Sequence, residues 1–463
     1  MAKPKPKKGK NGKQIVPVDS DNGRVMLMEG RQVDIYEDDD NSVGKIVDVV
    51  RSVLGARKNR DVEGIGVYSD MRNRQGYFEL GSIAMQNLFG ATSIPAKVLG
   101  EIIGDKGAGK TTTALTLAGE MMSKSPNALL IFVQCGSKAY PSDDYVGRCL
   151  TTDKRVADSI LKRVITVRAL GLDEWFEIIT TTVQAIRGVG SAKAKSNGGL
   201  PINQPIIMIC DDWSMLASPT EASGIQTYGK FMEPESMDKR RKTEILGAGS
   251  NFEHAKFAHR TTRSLGSLLC NYNVTMIITR AQRADIDMSG GFTGGFKRNP
   301  IDVALENGNA LGGSAFEDMA SWRFVMARGY SMNSKVIAGF STTCLFARMH
   351  SSYMGAHGRK VMFESPNQFL CDAGDYQTPA LSGAKGLLMQ AQLCGIIDAS
   401  MDELSGNWTC PSLDQFSVSA ERIMYELQHV RPEVAARIGG ELKIHGYQKP
   451  NVVTLSIEPN PAG

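Results

Sequence analysis

From about residue 79 the chain alternates unbroken apolar runs with amphipathic stretches, the rhythm of strand and helix in turn. Strands are expected at 98–103, 129–134, 164–167, 205–210, 274–279, 321–327 and 342–348. The runs 128–133 and 205–210 contain no charged or hydroxyl residue, the mark of strands covered on both faces. The stretch 112–122 reads as a helix following the first of these strands. Upstream, Ile46, Val47, Val50 and Val53 share one face of an expected helix from about Val43 to Ala56, which the acidic cluster 37–40, close to Asn41-Ser42, would cap. A short strand is expected at 65–69. From about 376 the pattern turns helical, with an amphipathic helix near 419–428. Together these predict an α/β protein with a mostly parallel central sheet. The expected organisation is a disordered basic and acidic tail (1–40), a small N-terminal helix–strand unit (41–78), an α/β core (79–375) and a small α-rich C-terminal domain (376–463). Two long polar stretches, about 218–250 and 284–311, interrupt the core, and loops of that length usually serve function. No internal repeat is visible.

Composition narrows this little. The net charge is +4, too small by itself to show a nucleic-acid partner. Lys3, Lys5, Lys7, Lys8, Lys10 and Lys13 alternate with Pro and Gly in the tail, which suits either a flexible leader or a sliding contact with a polyanion. The eight cysteines are scattered without metal-ligand spacing, as reduced thiols of a cytoplasmic protein would be. No apolar run is long enough to span a membrane, and no secretory signal pattern opens the chain.

The sharpest chemical signal is Gly104-Asp105-Lys106-Gly107-Ala108-Gly109-Lys110-Thr111, between an expected strand and an expected helix. Two glycines flanking four residues and followed by Lys-Thr form the P-loop pattern. Small residues let backbone N–H groups wrap phosphates at a helix N-terminus. Lys110 would reach the β- and γ-phosphates of ATP, and the Thr111 hydroxyl would hold Mg²⁺. About 100 residues on, Ile206-Ile207-Met208-Ile209-Cys210-Asp211-Asp212 is an apolar strand ending in a carboxylate, which places Asp211 as the second Mg²⁺ group.

At this point the chain resembles the RecA/UvsX recombinase family. Leu80-Gly81-Ser82-Ile83-Ala84-Met85-Gln86, Pro95 and Gly100-Glu101-Ile102 look like that family's lead-in to its P-loop. Asp211-Asp212-Trp213-Ser214-Met215-Leu216 resembles its second nucleotide motif. Gly312-Gly313-Ser314-Ala315 and Ala320-Ser321-Trp322-Arg323-Phe324 are the most diagnostic pieces, and Ser419–Met424 through Arg437-Ile438 resembles its C-terminal domain. The likeness spans about residues 45–447 at low identity. It implies a DNA-dependent ATPase forming a homo-oligomeric helical filament on single-stranded DNA, which it pairs with double-stranded DNA in recombination and repair. A divergent phage-encoded member, acting in the host cytoplasm, fits the pattern. The helix–strand unit would dock on the neighbouring subunit, and the two polar stretches would be DNA-binding loops. Phe292, Phe296, Lys297 and Arg298, with Gly312, Gly313 and Ser314, are the implied DNA-binding residues; mobile glycine, cation and ring together suit single strands. In the first stretch Lys230, Lys239, Arg240, Arg241 and Lys242 are mixed with acidic residues, so a solvated charge cluster is an equal alternative. Thr112 joins the nucleotide-binding set, and Tyr145 is placed near the adenine by the resemblance.

The chain departs from the family at one catalytic position. The glutamate that should follow the strand after the P-loop helix falls on Gly136, in Phe132-Val133-Gln134-Cys135-Gly136. Either Gln134 orients the attacking water, or Asp143 or Asp144 reaches in, or hydrolysis is slow. The resemblance also implies a residue coupling the γ-phosphate to the second DNA loop, with Gln282 the candidate, Arg280 its rival, and Ala281 the ungapped match. Two cations reaching the phosphates from an adjacent subunit would be Arg348 and His350. Two other readings of the core are a hexameric DNA helicase and a non-catalytic or slow ATP-gated assembly or regulatory protein.

Overall fold

The computed structural model describes residues 24–26, 32–34, 75–189, 199–218, 248–282, 300–311, 313–333, 341–366, 380–402 and 407–444. The expected helix at 43–56 and strand at 65–69 lie outside these, as do most of both long polar stretches. The chain divides into two compact units, Met1–Gly76 and Tyr77–Gly463. In the first, β1 (Arg24–Met26) pairs antiparallel with β2 (Gln32–Asp34), inside the segment expected to be a tail.

The second unit opens with β3 (Tyr77–Glu79), α1 (Ile83–Phe89) and β4 (Ser93–Pro95). There follow β5 (Leu99–Gly104), α2 (Lys110–Lys124), β6 (Leu129–Cys135), α3 (Asp143–Leu150), α4 (Lys154–Leu161), β7 (Val164–Ala169), α5 (Leu172–Ile186) and β8 (Ile206–Asp211). Next are α6 (Ala248–Asn271), β9 (Val274–Ala281), α7 (Pro300–Glu306), α8 (Ala315–Met319), β10 (Trp322–Asn333), β11 (Ser341–Ser352) and β12 (Lys360–Pro366). The remainder is α9 (Ala384–Leu393), β13 (Ser400–Met401), β14 (Trp408–Cys410), β15 (Gln415–Val418), α10 (Ala420–His429) and α11 (Pro432–Ile444).

An eight-stranded sheet runs β12-β11-β10-β5-β9-β8-β6-β7. From β10 to β7 every neighbouring pair is parallel, while β11 and β12 add antiparallel strands at one edge. The seven strands expected between 98 and 348 are all present, some longer than expected. β5 and β8 are buried along their whole length. The side-chain period of two explains the two cores: Leu130 and Phe132 join the cluster under α1 and α2, whereas Ile131 and Val133 join the one under α5 and α6. The C-terminal segment is not purely helical, because β13, β14 and β15 form a three-stranded antiparallel sheet. Its Trp408, Ile423 and Leu427 pack into the same cluster as Leu115 and Met121 of α2. Among the described residues no helix is long and apolar enough to cross a membrane.

Candidate nucleotide-phosphate site

The parallel strands all end at one edge of the sheet, and the loop 104–110 leaves β5 there to start α2. Gly107 and Gly109 take left-handed backbone angles (φ 81° and 82°) that side chains rarely adopt. A Cβ on Gly104 would lie 2.4 Å from the Met326 carbonyl oxygen, so only glycine lets the loop sit this close to β10. Ala108 is fully buried, whereas Asp105 and Lys106 are exposed at the loop's outer side. Gly109 is the N-cap of α2, with no side-chain cap, so its first N–H groups are left for another acceptor.

Lys110 folds back over this loop. Its Nζ donates to the carbonyls of Gly104 (2.8 Å) and Asp105 (3.1 Å) and lies 3.6 Å from Asp212 Oδ2. Burial pushes the Asp212 carboxyl up, and Lys110 opposes that shift. Thr111 Oγ1 donates to Asp211 at 2.9 Å from both carboxylate oxygens. This contact spans the strand β9, which stands between β5 and β8, a gap of about 10 Å at ordinary strand spacing. From that middle strand Thr279 Oγ1 donates 2.7 Å to Asp211 Oδ1. Sequence reasoning missed Thr279, because its role depends on which strand lies between the two motifs.

A hydroxyl and a carboxylate oxygen side by side are the hard donors Mg²⁺ prefers, and the ion characteristically takes one or two protein groups with phosphates and water completing its shell. Among the described residues no three His, Cys, Asp or Glu cluster as a self-sufficient metal cage. The Thr111–Asp211 pair is a donor set of the kind that suits a nucleotide-borne Mg²⁺. Thr112 Oγ1 and Tyr145 OH lie 2.8 Å apart, joining α2 to α3 beside the loop. Burial pushes the Tyr145 phenol well up, so it stays neutral.

The other expected catalytic groups divide. Gln134 is buried at the end of β6, and its amide Nε2 is 3.5 Å from the Asp211 carbonyl oxygen, next to the candidate metal pair. Asp143 and Asp144 instead sit exposed in the first turn of α3, where they complement its N-terminus after the Ser142 cap. No contact brings Asp144 to Lys110, Thr111 or Asp211. Gly136 has φ 81°, and a Cβ there would lie 2.9 Å from Met215 Cβ and 3.1 Å from its carbonyl oxygen. The backbone itself thus disfavours a glutamate at this position.

Gln282 binds the loop through its backbone, not its side chain. Its N–H donates to Gly104 O (3.2 Å), while Nε2 donates to the carbonyls of Ala304 (2.6 Å) and Asn307 (2.5 Å), ending α7. Arg280, its rival, is fully buried and engaged away from Lys110 and Asp211. Its Nη1 is 2.5 Å from Glu101 Oε1, and its Nη2 donates to the carbonyls of Leu311 (2.5 Å) and Gly313 (2.7 Å). Arg323 Nε lies 2.7 Å from Glu101 Oε2, and its Nη2 donates to Gly308 O. Glu101, Gly313 and Arg323, drawn from three separate sequence motifs, therefore meet at one buried ion cluster. Ser314 begins α8 without a side-chain cap bond.

Arg348 and His350, expected to serve phosphates of an adjacent subunit, engage α7 of their own chain. Arg348 Nη1 is 3.7 Å from Glu306 Oε1, and His350 Nε2 is 2.8 Å from Leu305 O. Burial lowers the His350 pKa below its ordinary value, so its neutral form prevails near pH 7. Phe292, Phe296, Lys297, Arg298 and Gly312 lie outside the described residues, as do Lys230 and 239–242. A cationic surface unforeseen from sequence stands on α6, where Lys256, His259, Arg260 and Arg263 are exposed and line one groove. Their spacing of three, four and seven residues puts them on one helical face.

Compared with known proteins, the chain matches no family model and no curated sequence.

Proposed function

We propose that this chain is a recombinase of the RecA/UvsX type, an ATP- and Mg²⁺-dependent protein that polymerises on single-stranded DNA and pairs it with duplex. The observation that carries the reading is the meeting of Thr111 and Asp211 at 2.9 Å beside Lys110, across an intervening strand. Two motif halves 100 residues apart converge as a nucleotide site requires. On binding, Lys110 would exchange its carbonyl partners for phosphate oxygens, Thr111 and Asp211 would hold the metal, and the N–H groups opening α2 would face the phosphates. ATP supplies the phosphoanhydride whose occupancy gates assembly. Gln134, held beside Asp211, is the remaining group able to orient water. The buried Glu101 cluster supports the recombinase reading over other nucleotide-dependent ones, since it ties together the segments on which the resemblance rests. The basic face of α6 supports a polyanion partner.

The Gly136 backbone favours a second reading, an ATP-gated assembly protein with slow turnover. ATP hydrolysis measured with and without single-stranded DNA tests both, using Lys110→Ala as the control. The recombinase reading expects DNA-stimulated turnover that the variant loses. DNA binding that depends on ATP without turnover would select the second reading. Absence of both nucleotide and DNA binding would refute the two together.

A further inference from the structure

We infer that Arg328 is a nucleotide-binding cation acting within its own chain, contacting the β/γ end of the phosphate chain and favouring triphosphate over diphosphate. The inference rests on the nucleotide reading given above and names a residue that no sequence motif marks.

The placement follows from register. β10 runs parallel to β5, with Met326 opposite Gly104, the first residue of the glycine loop. The chain of β10 therefore continues past the sheet edge directly beside that loop. Trp322, Phe324 and Met326 face the core cluster that α2 covers, and the period of two puts Arg328 on the same face. The pairing of β10 with β5 stops at Gly104, so from there the side chain stands beside the loop and not over β5. A Cβ built on Gly107 would lie 3.5 Å from Arg328 Nη1 and 4.0 Å from its Cδ. The arginine thus lies along the apex of the loop.

The backbone is shaped locally to do this. Arg328 pairs with Leu345, but Ser331 pairs with Thr343, so β10 carries one extra residue between them. Such a bulge bends a strand and re-aims its side chains. A Cβ on Gly329 would lie 2.5 Å from Phe346 Cε2 and 3.1 Å from Cys344 O, so the bulge depends on a glycine there.

The cation is also available. Arg328 is exposed, and among the described residues it forms no hydrogen bond or ion pair. Its neighbours differ: Arg280 is held by Glu101 and backbone carbonyls, Arg323 by Glu101, Glu317 and Gly308 O, and Arg348 pairs with Glu306. A guanidinium is permanently charged and offers a planar fork suited to phosphate oxygens. Lys110 would take the phosphates from one side of the loop, and Arg328 would close over them from the β10 side.

The test is calorimetric titration of the full chain with Mg²⁺ and either ADP or a non-hydrolysable ATP analogue, on the wild type, Arg328→Ala and Arg328→Lys. The inference expects Arg328→Ala to weaken the ATP analogue by about tenfold or more and ADP by less than about threefold, with partial recovery in Arg328→Lys. Equal losses for both nucleotides, or no loss for either, would overturn it while leaving the nucleotide site standing. A wild type that binds neither nucleotide would overturn the phosphate-loop reading and this inference with it. Unchanged melting temperatures, expected for an exposed side chain, separate these outcomes from misfolding.

Discussion

At the scale of single residues, the site is a set of short polar contacts around Asp211, each with a distinct role. Thr111 is the group that would share the metal, and Thr279 fixes the carboxylate's orientation from the next strand. Replacing Thr279 by Val keeps the shape and removes one buried hydrogen bond to a carboxylate. ATP turnover should fall about tenfold, whereas Thr279→Ser should retain most activity. A wild-type rate for Thr279→Val would show that Asp211 needs no such support. Gly136 argues in the opposite direction, from what cannot be added. With φ 81° and Met215 Cβ 2.9 Å from any Cβ, Gly136→Ala should lower stability by about 1–3 kcal/mol in urea unfolding. Gly136→Glu should be equally strained and should not raise turnover. A large gain in turnover on restoring the carboxylate would mean that the loop yields and that the chain simply lost its catalytic base.

At the scale of elements, the sequence was most readable where burial leaves no choice. β6 and β8 are covered on both faces, so their apolar runs are continuous and unmistakable. β12 escaped notice because its edge position mixes Lys360, Glu364 and Pro366 with apolar residues. β13, β14 and β15, two to four residues long, are too short to show a period. Lys110, Thr111 and Asp211 were legible because their motifs are local. Thr279, the Glu101 partners and Arg328 were not, since strand order and register decide what they touch. The basic face of α6 belongs to this middle scale too. If Arg260 and Arg263 each neutralise one phosphate, changing both to Ala should weaken single-stranded DNA binding. It should also make the dependence of log K on log salt shallower by about 1.4, at about 0.7 per contact. An unchanged salt slope would remove α6 from the DNA surface.

At the scale of the whole molecule, the sheet brings two systems to one edge. The loop after β5 would take the nucleotide, and the chain beyond β9 returns through α7 to the same strands. Gln282 joins them physically, donating its N–H to Gly104 O and its side chain to the end of α7. Nucleotide binding at the loop would thus bear directly on the segment between β9 and α7, which the resemblance assigns to DNA. The central claim is that nucleotide occupancy drives assembly on DNA, and electron microscopy tests it most directly. The full chain would be imaged with single-stranded DNA, Mg²⁺ and a non-hydrolysable ATP analogue. The account predicts regular helical filaments that require the analogue and disappear in Lys110→Ala. Bare DNA beside dispersed particles, or closed rings in place of filaments, would contradict it.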